Sequence, residues 1–253
     1  MTAGLARLEP TEGFDVVRLA SPANRNALSL RMMEELLEHI DATASGEGRG
    51  LVLDHDGPVF CAGVDLRERQ ALGATTQSHS SLLGRVLRDL WTYPKPVLCR
   101  VDGATRGGGM GLVACSDIVV ASSAATFAYS EVRVGVAPAL VAAVTLPKVP
   151  TGALLPWLLT GDAFDAETAH GLGLVTRVAV SAPSLEPETT AIRASGPIAA
   201  KTVKRLVRRF GSIDVERALD EMETLSSELF AGAEAREGMA AFSQRRPPAW
   251  AAS

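Results

Sequence analysis

Apolar residues recur at two different spacings along the chain, and the change of spacing separates a strand-rich first part from a helix-rich second part. Short apolar runs at 5–8 and 14–19, with a turn at Glu12-Gly13, predict two strands. After Ser29, a candidate N-cap, apolar residues follow at helical spacing: Met32, Met33, Leu36, Leu37 and Ile40. From residue 183 onwards, helical patterns dominate.

The remaining apolar runs extend this pattern. They predict strands at 50–54, 95–101, 117–121 and 174–180, and helices at 82–90, 138–146, 152–159 and 166–172. The helix at 138–146 is apolar on all sides and is expected to be buried. Alternation over 126–134 predicts an extended segment with Tyr129, Glu131 and Arg133 on one face. Residues 67–80 are polar and predict an ordinary surface loop or, alternatively, a mobile segment over a pocket.

Composition places the chain among globular proteins and excludes several classes of function. Of its 253 residues, 47% are hydrophobic and 21% charged, which supports one sizeable core with an appended lobe. The net charge of −4, without a basic block, argues against nucleic acid as a partner. No apolar run reaches the ~18 residues of a membrane span, and no secretory signal pattern is present. The three widely spaced cysteines predict reduced thiols and a cytoplasmic location.

A glycine-rich stretch, 101–112, joins an apolar run to the predicted start of a buried helix. Glycine lets the backbone approach a ligand closely, and the first N–H groups of a helix have no internal acceptor. Such a bend can bind a phosphate, or an oxyanion that develops during a reaction. A Walker phosphate loop is excluded because Gly-Lys-Ser/Thr is absent. A dinucleotide fingerprint at 109–114, or glycines that only permit tight packing, are the alternatives.

A second stretch with the same design lies earlier in the chain. Residues 58–66 read Pro-Val-Phe-Cys-Ala-Gly-Val-Asp-Leu, which predicts a strand, then small residues, then the start of a helix. Two such loops can each offer one backbone N–H to the same oxygen atom. The pair therefore favours a site that stabilises an oxyanion.

Four motifs in order resemble the crotonase superfamily, the enoyl-CoA hydratases and isomerases, over nearly the whole chain. They are the early turn 24–28, the first loop 60–66, the second loop 102–118 and the segment 128–135. The resemblance implies an α/β fold, a spiral of ββα units over 1–195, with a helical lobe at 196–253 that serves oligomerisation and caps CoA. It also implies a homotrimer or hexamer that acts on an acyl-CoA thioester in lipid metabolism. No metal is implied, and no cofactor beyond the coenzyme A of the substrate.

The resemblance also assigns roles to individual residues. The backbone N–H groups of Val64 and Gly108 would stabilise a thioester enolate, and Glu131 would be the acid/base group. Glutamate in an apolar pocket has a raised pKa, whereas local sequence alone also permits Glu131 to pair with Arg133 and be solvated. The residues expected to contact acyl-CoA are Arg25, Ala27, Ala62, Asp65, Leu66, Arg67, Phe242 and Arg245. For each arginine, a solvated surface position is the alternative.

One position departs from the pattern of the family's hydratases. They carry a second glutamate three residues after the middle glycine of the second loop, where this chain has Gly111. Two glutamates hold the water in the usual scheme, so Gly111 weakens the hydratase interpretation without excluding it. Hydration of a 2-enoyl-CoA is the leading hypothesis. The alternatives are a double-bond isomerase using Glu131 alone and an acyl-CoA binding protein with little catalysis. In that last case, Gly111→Glu is expected to raise hydration by about 10²–10⁴.

Other catalytic groups find no support in the sequence. The histidines show neither metal-ligand spacing nor a partner pattern: His39, His55, His79 and His170. Ser130 lacks the context of a nucleophile elbow. Cys61 is expected to be packed rather than reactive.

Overall fold

The structure is a computed structural model that describes residues 4–11, 13–72, 77–210 and 215–251. The strands in these ranges are β1 (Ala6–Thr11), β2 (Phe14–Leu19), β3 (Leu51–His55), β4 (Val59–Cys61), β5 (Val97–Val101), β6 (Ala104–Arg106), β7 (Ile118–Ser122), β8 (Thr126–Ala128), β9 (Phe164–Asp165) and β10 (Arg177–Ala179). The α-helices are α1 (Leu30–Ala44), α2 (Leu66–Ala71), α3 (Gln77–Trp91), α4 (Gly108–Cys115), α5 (Ala139–Thr145), α6 (Thr151–Thr160), α7 (Ala166–Gly171), α8 (Glu186–Ala194), α9 (Pro197–Phe210), α10 (Val215–Ala231) and α11 (Ala233–Gln244). Short 3₁₀ helices span Pro22–Asn24, Ser130–Val134 and Ala249–Ala251.

The described residues fall into two compact units. The first holds those of 1–93 and 97–185, and the second those of 94–96 and 186–253. The boundary predicted from sequence lies after residue 195, which would put α8 in the first unit. In the structure, α8 belongs to the second unit. The predicted tasks of the helical lobe, oligomerisation and CoA capping, stay predictions.

Two sheets organise the first unit. The larger has the order β1-β2-β3-β5-β7-β10, in which β1 is antiparallel to β2 and all other neighbours are parallel. The smaller has the order β4-β6-β8-β9 and is parallel except at β9. The pairs β3–β4, β5–β6 and β7–β8 each give one strand to each sheet before the chain enters a helix. This confirms the spiral of ββα units that the resemblance implied.

The register of the small sheet decides where the site lies. Its strands β4, β6 and β8 run parallel, and Arg106 pairs with Ala128 at the ends of the last two. Because parallel neighbours end at the same edge of a sheet, the segments after these three strands emerge side by side. Those segments are 62–64, 107–108 and 129–131.

Helix α1 forms as predicted. The Ser29 hydroxyl accepts the N–H of Met32 at 3.2 Å, which caps the first turn. The five apolar residues at helical spacing are all buried: Met32, Met33, Leu36, Leu37 and Ile40. They pack with β2, β3 and α3 side chains in one core, which also includes α4.

The prediction of a loop at 67–80 is wrong for most of that range. Helix α2 begins at Leu66, and α3 begins at Gln77; residues 73–76 lie outside the described part of the chain. The Asp65 carboxylate starts α2 by accepting the N–H groups of Arg67 and Glu68 at 3.0 and 3.1 Å. No residue of α2 is buried, so the helix has no apolar face that periodicity could detect.

Two further expectations were wrong. The segment 126–134 is extended only to Ala128, where its pairing with β6 ends; a 3₁₀ helix follows, ended by Gly135 at φ 79°. Tyr129, Glu131 and Arg133 therefore do not share one face of a strand, as the alternation had predicted. Helix α5 exists, but of its residues only Val141 and Thr145 are buried.

Candidate active site

A cavity of about 370 Å³ lies where β4, β6 and β8 end. The segments that follow all three strands line it: Ala62, Gly63, Val64, Gly107, Gly108, Ser130 and Glu131. Most of the remaining wall is apolar: Leu66, Leu83, Val134, Val136, Ala137, Pro138, Ala139, Leu140 and Val141. This use of α5 as a cavity wall explains why its apolar residues are not all buried. The cavity suits an apolar chain that ends in a polar group at the strand edge.

The N–H of Val64 points away from its neighbouring segment. Leu28 and Val64 form an isolated parallel bridge, in which Leu28 donates to the Gly63 carbonyl at 2.8 Å and accepts from Asp65 at 3.2 Å. In a parallel bridge the middle residue directs its own N–H to the other side. Within the described ranges, the Val64 N–H has no hydrogen-bond acceptor. It is free to donate to a ligand.

The second donor is at the start of α4. Gly108 is the first residue of the helix, and the residue before it, Gly107, has φ 49° and ψ −121°, which a side chain would strain. Like other N-terminal N–H groups of helices, that of Gly108 lacks an internal acceptor. No other acceptor for it occurs among the residues described. A side chain here would also collide, since a Cβ at Gly108 would lie 2.9 Å from Leu28 Cδ1.

The two loops touch. A Cβ built on Gly63 would lie 3.5 Å from the backbone nitrogen of Gly108 and 3.2 Å from the Arg106 carbonyl oxygen. Gly63 also has φ 89°, a conformation that favours glycine. The absence of side chains at Gly63 and Gly107 therefore lets the two backbones pack closely, and the two unpaired N–H groups belong to residues on the wall of the same cavity.

Glu131 sits beside these donors. Its Oε1 lies 3.5 Å from the position that a Gly107 Cβ would take. Its Oε2 is buried and has no hydrogen-bond partner in the described structure. Burial raises the pKa of this carboxyl group, an effect partly offset by its own backbone N–H. A carboxyl with a raised pKa can exchange protons closer to neutral pH than an exposed glutamate.

The alternative for Glu131, pairing with Arg133, does not occur. The Arg133 guanidinium instead binds the carboxylate of Asp162 and donates to the Thr160 carbonyl at 3.2 Å. The 3₁₀ helix turns the two side chains apart. No other residue in the described ranges forms a salt bridge with Glu131, and burial raises the pKa of its carboxyl group.

The early turn holds the first loop in place, and one of its residues was missed. Asn26 is fully buried; its amide donates to the carbonyls of Asp56 and Val59 at 2.9 and 2.8 Å, and its oxygen accepts from Ser21. It adopts φ 52°, a conformation that asparagine tolerates better than most residues. The Asn-Arg-Asn sequence before a helix N-cap was the available signal for such a turn.

The predicted acyl-CoA contacts are only partly brought together. Ala62 and Leu66 line the cavity, whereas Arg25, Ala27, Asp65 and Arg67 do not. Arg25 and Arg67 are exposed, Ala27 is buried in the core, and the Asp65 carboxylate caps α2. The Arg25 carbonyl accepts the Ala62 N–H at 3.0 Å, so its backbone supports the first loop.

Phe242 and Arg245 belong to the second unit. Phe242 lies on α11 with 87% of its surface exposed, and Arg245 ends that helix at φ 52°. Their contact with CoA stays a prediction.

Gly111 does not line the cavity. A Cβ at this position would lie 2.7 Å from Leu87 Cδ2 on α3, so a core leucine occupies the space that a side chain would enter. Gly111→Glu alone must therefore displace Leu87, and the gain in hydration expected from sequence no longer follows.

One histidine has a partner that the sequence analysis missed. His79 Nε2 lies 2.9 Å from Glu68 Oε2, and the His79 side chain is fully buried and lines the cavity. The two residues are on different helices, so no local spacing reveals the pair. Among the residues described, no group of three or more His, Cys, Asp or Glu side chains is placed to hold a metal ion.

The sequence is similar to those of known proteins over nearly its whole length. The family model for enoyl-CoA hydratase/isomerase matches residues 9–253. This chain belongs to that family, within the crotonase superfamily. A putative enoyl-CoA hydratase of Thermus thermophilus is 33% identical over 241 residues, covering 92% of this chain and 95% of that protein. A crotonyl-CoA hydratase of Syntrophomonas wolfei is 30% identical over 247 residues, covering 94% and 95%.

Solved structures agree with the fold. Pseudomonas aeruginosa AtuE superposes with a TM-score of 0.91 at 31% identity, covering 98% of this chain and 99% of that one. An enoyl-CoA hydratase from Mycobacterium smegmatis gives the same TM-score and identity, covering 97% and 98%. These relatives support an enzyme of the hydratase/isomerase family acting on an acyl-CoA thioester. In the described part of the chain, no helix is both long and apolar enough to cross a membrane.

Proposed function

We propose that this protein is an enoyl-CoA hydratase that adds water to a 2-enoyl-CoA thioester. The observation that carries the proposal is the buried, unpartnered Oε2 of Glu131 in a cavity that is also lined by Val64 and Gly108, whose backbone N–H groups are unpaired. A thioester carbonyl placed on the N–H groups of Val64 and Gly108 would direct its acyl carbons into the apolar part of the cavity.

The two donors and Glu131 divide the chemistry between them. As charge develops on the thioester oxygen, each N–H stabilises it, and one such donor is worth roughly 10²–10³ in rate. The Glu131 carboxylate takes a proton from water as the water oxygen bonds to Cβ. The resulting acid returns that proton to Cα as the enolate collapses, so one carboxyl completes the addition.

Isomerisation of an enoyl-CoA is the second candidate, and a specific observation favours it. Glu131 is the sole carboxylate among the described residues that line the cavity. Moving a double bond requires a single group that removes a proton from one carbon and returns it to another. A protein that binds acyl-CoA with little catalysis is the third possibility, and it rests on the glycine at position 111 alone.

Coenzyme A enters this proposal as part of the substrate, with no separate cofactor. Exposed guanidinium groups suit CoA phosphates, and we assign Arg25 and Arg67 of the first unit to this task. For the second unit, we propose that Arg245 also binds phosphate and that the Phe242 ring packs on the apolar parts of a CoA molecule. The three cysteines are buried and form no disulfide in the described structure, which supports the reducing, cytoplasmic location expected from their spacing.

The proposal includes a trimer, or a hexamer made of two trimers. Large apolar side chains are exposed on α6, α9, α10 and α11: Leu159 at 69%, Val207 at 68%, Phe230 at 66% and Phe242 at 87%. We assign these side chains to contacts between subunits, because apolar patches on a protein surface mark interfaces. Light scattering of the purified protein measures the mass directly, and a monomer would contradict the assignment.

The reaction is tested with a 2-enoyl-CoA and a 3-enoyl-CoA in parallel, with the products identified by mass. A gain of one water by the 2-enoyl substrate supports hydration. An unchanged mass with a shifted double bond in the 3-enoyl substrate, and no hydration, supports the isomerase. Micromolar binding of acyl-CoA, with no product formed above the uncatalysed rate, would support the third possibility, a protein that binds acyl-CoA with little catalysis.

A further inference from the structure

The cavity contains a second buried polar group that the proposed mechanism does not use. Five buried side-chain nitrogen or oxygen atoms in the described residues lack a hydrogen-bond partner, and two of them belong to residues that line this cavity. One is Glu131 Oε2 and the other is His79 Nδ1. Unpartnered buried polar atoms are rare in native structures because each costs the free energy of its lost hydration.

The contact between His79 and Glu68 determines which ring nitrogen of His79 carries the hydrogen. His79 Nε2 lies 2.9 Å from Glu68 Oε2, and the same oxygen accepts the Leu30 N–H at 2.8 Å. A carboxylate can only accept hydrogen bonds, so Nε2 carries the hydrogen. In the neutral imidazole, Nδ1 is then a bare acceptor that needs a donor.

The packing of α3 against α4 places His79 near the start of α4, on the wall of the same cavity as Gly108 and Glu131. His79, Leu83 and Leu87 recur every four residues and so share one face of α3. Leu83 faces the start of α4, 3.6 Å from where a Gly108 Cβ would be, and Leu87 faces Gly111 one turn later. His79 therefore lies one turn before Leu83, about 6 Å further along α3 and beyond the first N–H of α4.

We propose that His79, held by Glu68, is a positioning residue that accepts a hydrogen bond from the O–H group at Cβ of the substrate. This group is the attacking water in the forward direction and the 3-hydroxyl of the product in reverse. An apolar acyl chain offers no donor for Nδ1, whereas an O–H at Cβ does. The inference rests on the proposed hydratase function and names what compensates for the absent side chain at position 111.

The proton balance does not change. The water O–H bond breaks, its proton passes to Glu131, its oxygen bonds to Cβ, and Glu131 returns the proton to Cα. His79 neither gains nor loses a proton and only orients the remaining O–H.

Two substitutions test the roles of His79 Nδ1 and Nε2 one at a time. His79→Gln reaches the position of Nε2 and keeps a donor for Glu68, but it leaves no acceptor where Nδ1 was. His79→Asn keeps a polar group near Nδ1 and loses the contact with Glu68. His39→Gln is the matched control, because His39 lies on α1, contacts the Ala6 carbonyl and does not line the cavity.

Binding is measured by calorimetry with 3-hydroxybutyryl-CoA and butyryl-CoA, each in a Glu131→Gln background that blocks turnover. We expect His79→Gln to lower the ratio of the two affinities by about tenfold, as for the loss of one buried hydrogen bond. His79→Asn should retain part of the preference, and His39→Gln all of it. An unchanged ratio, or an equal loss for both ligands, would overturn the proposal, since a purely structural role of His79 weakens both alike.

Kinetics give a second readout. With Glu131 intact, His79→Gln should reduce kcat for hydration of a 2-enoyl-CoA about tenfold with little change in KM, because the contacts of the thioester are kept. An unchanged kcat, or a change in KM alone, would overturn the positioning role. Full hydration in the Glu131→Gln background would instead refute the proposed function, so the two failures are distinguishable.

Discussion

Two loops offer N–H groups to the cavity, and each follows one of two neighbouring strands of the same sheet. They are nevertheless held in different ways. The first is tied from outside, by the Leu28 bridge and by the Asn26 side chain, and leads into α2, which buries none of its residues. The second leads into α4, all eight residues of which are buried. One donor thus depends on hydrogen bonds to a turn, and the other on close packing. The two should therefore fail under different substitutions.

The largest effect is expected from adding one methyl group to the second loop. A Cβ at Gly109 would lie 2.7 Å from Cys61 Cβ and 3.1 Å from the Cys61 carbonyl oxygen, and backbone cannot move aside cheaply. Gly109→Ala should lower the free energy of unfolding by about 1–3 kcal/mol and abolish most activity. Urea denaturation measures the first and turnover the second.

Gly152→Ala is the control for this substitution. Gly152 lies in α6 with open space around its Cβ position, so alanine should leave activity unchanged and stabilise the helix slightly. Equal stability of the Gly109→Ala protein and the wild type would show that the second loop does not depend on close packing.

Loosening the first loop should cost a similar amount of stability but less of the activity. Asn26→Ala removes three hydrogen bonds that tie the early turn to Val59, Asp56 and Ser21. We expect a loss of about 1–3 kcal/mol and a fall in kcat of about tenfold or more, because the Val64 N–H loses its fixed direction. Asn24→Ala, which removes one 3.3 Å contact to Ala27, should have a smaller effect on both. If the two variants behave alike, Asn26 does not hold the first loop.

The position of Gly111 is tested by making room for a carboxylate. Gly111→Glu alone should destabilise the protein without raising hydration, because Leu87 occupies the space beside it. Combining it with Leu87→Ala removes the obstacle, and hydration should rise relative to Leu87→Ala alone. A rise in the single variant would contradict the position of Leu87.

The smallest effect concerns stability as a function of pH. The folded pKa of Glu131 is raised by burial, so its neutral form is favoured in the folded protein. Ionising Glu131 in the folded protein therefore lowers the free energy of unfolding. This loss is absent below the pKa of the unfolded state and develops fully as pH rises through the pKa of the folded state. Glu131→Gln should therefore stabilise the protein at pH 8 more than at pH 4. Thermal unfolding at the two pH values checks this, and a gain confined to pH 4 would have the wrong sign.

Much of the fold was accessible from sequence because burial leaves a periodic trace. The apolar face of α1, its N-cap at Ser29 and the strand β2 were predicted closely. Helix α2 left no such trace, since it is exposed throughout. The sequence of the 3₁₀ helix at Ser130–Val134 alternates like that of a strand, although the pairing of β8 with its neighbours ends at Ala128.

The candidate site divides in the same way. Val64, Gly108 and Glu131 were identified through motifs, and the structure places them on one cavity, although their catalytic roles stay proposals. The support of Asn26 for the first loop depends on contacts about thirty residues away. The His79–Glu68 pair joins two helices. Contacts of this kind become visible only in three dimensions.

The central claim is that Glu131 alone carries the proton in this site. Its most direct test is turnover of a 2-enoyl-CoA by Glu131→Gln, together with calorimetric binding of a non-reactive acyl-CoA. We predict that kcat falls by about 10²–10⁴ while binding stays within a few fold, since the amide keeps the size of the carboxyl group. Turnover at the wild-type rate with unchanged binding would contradict the account.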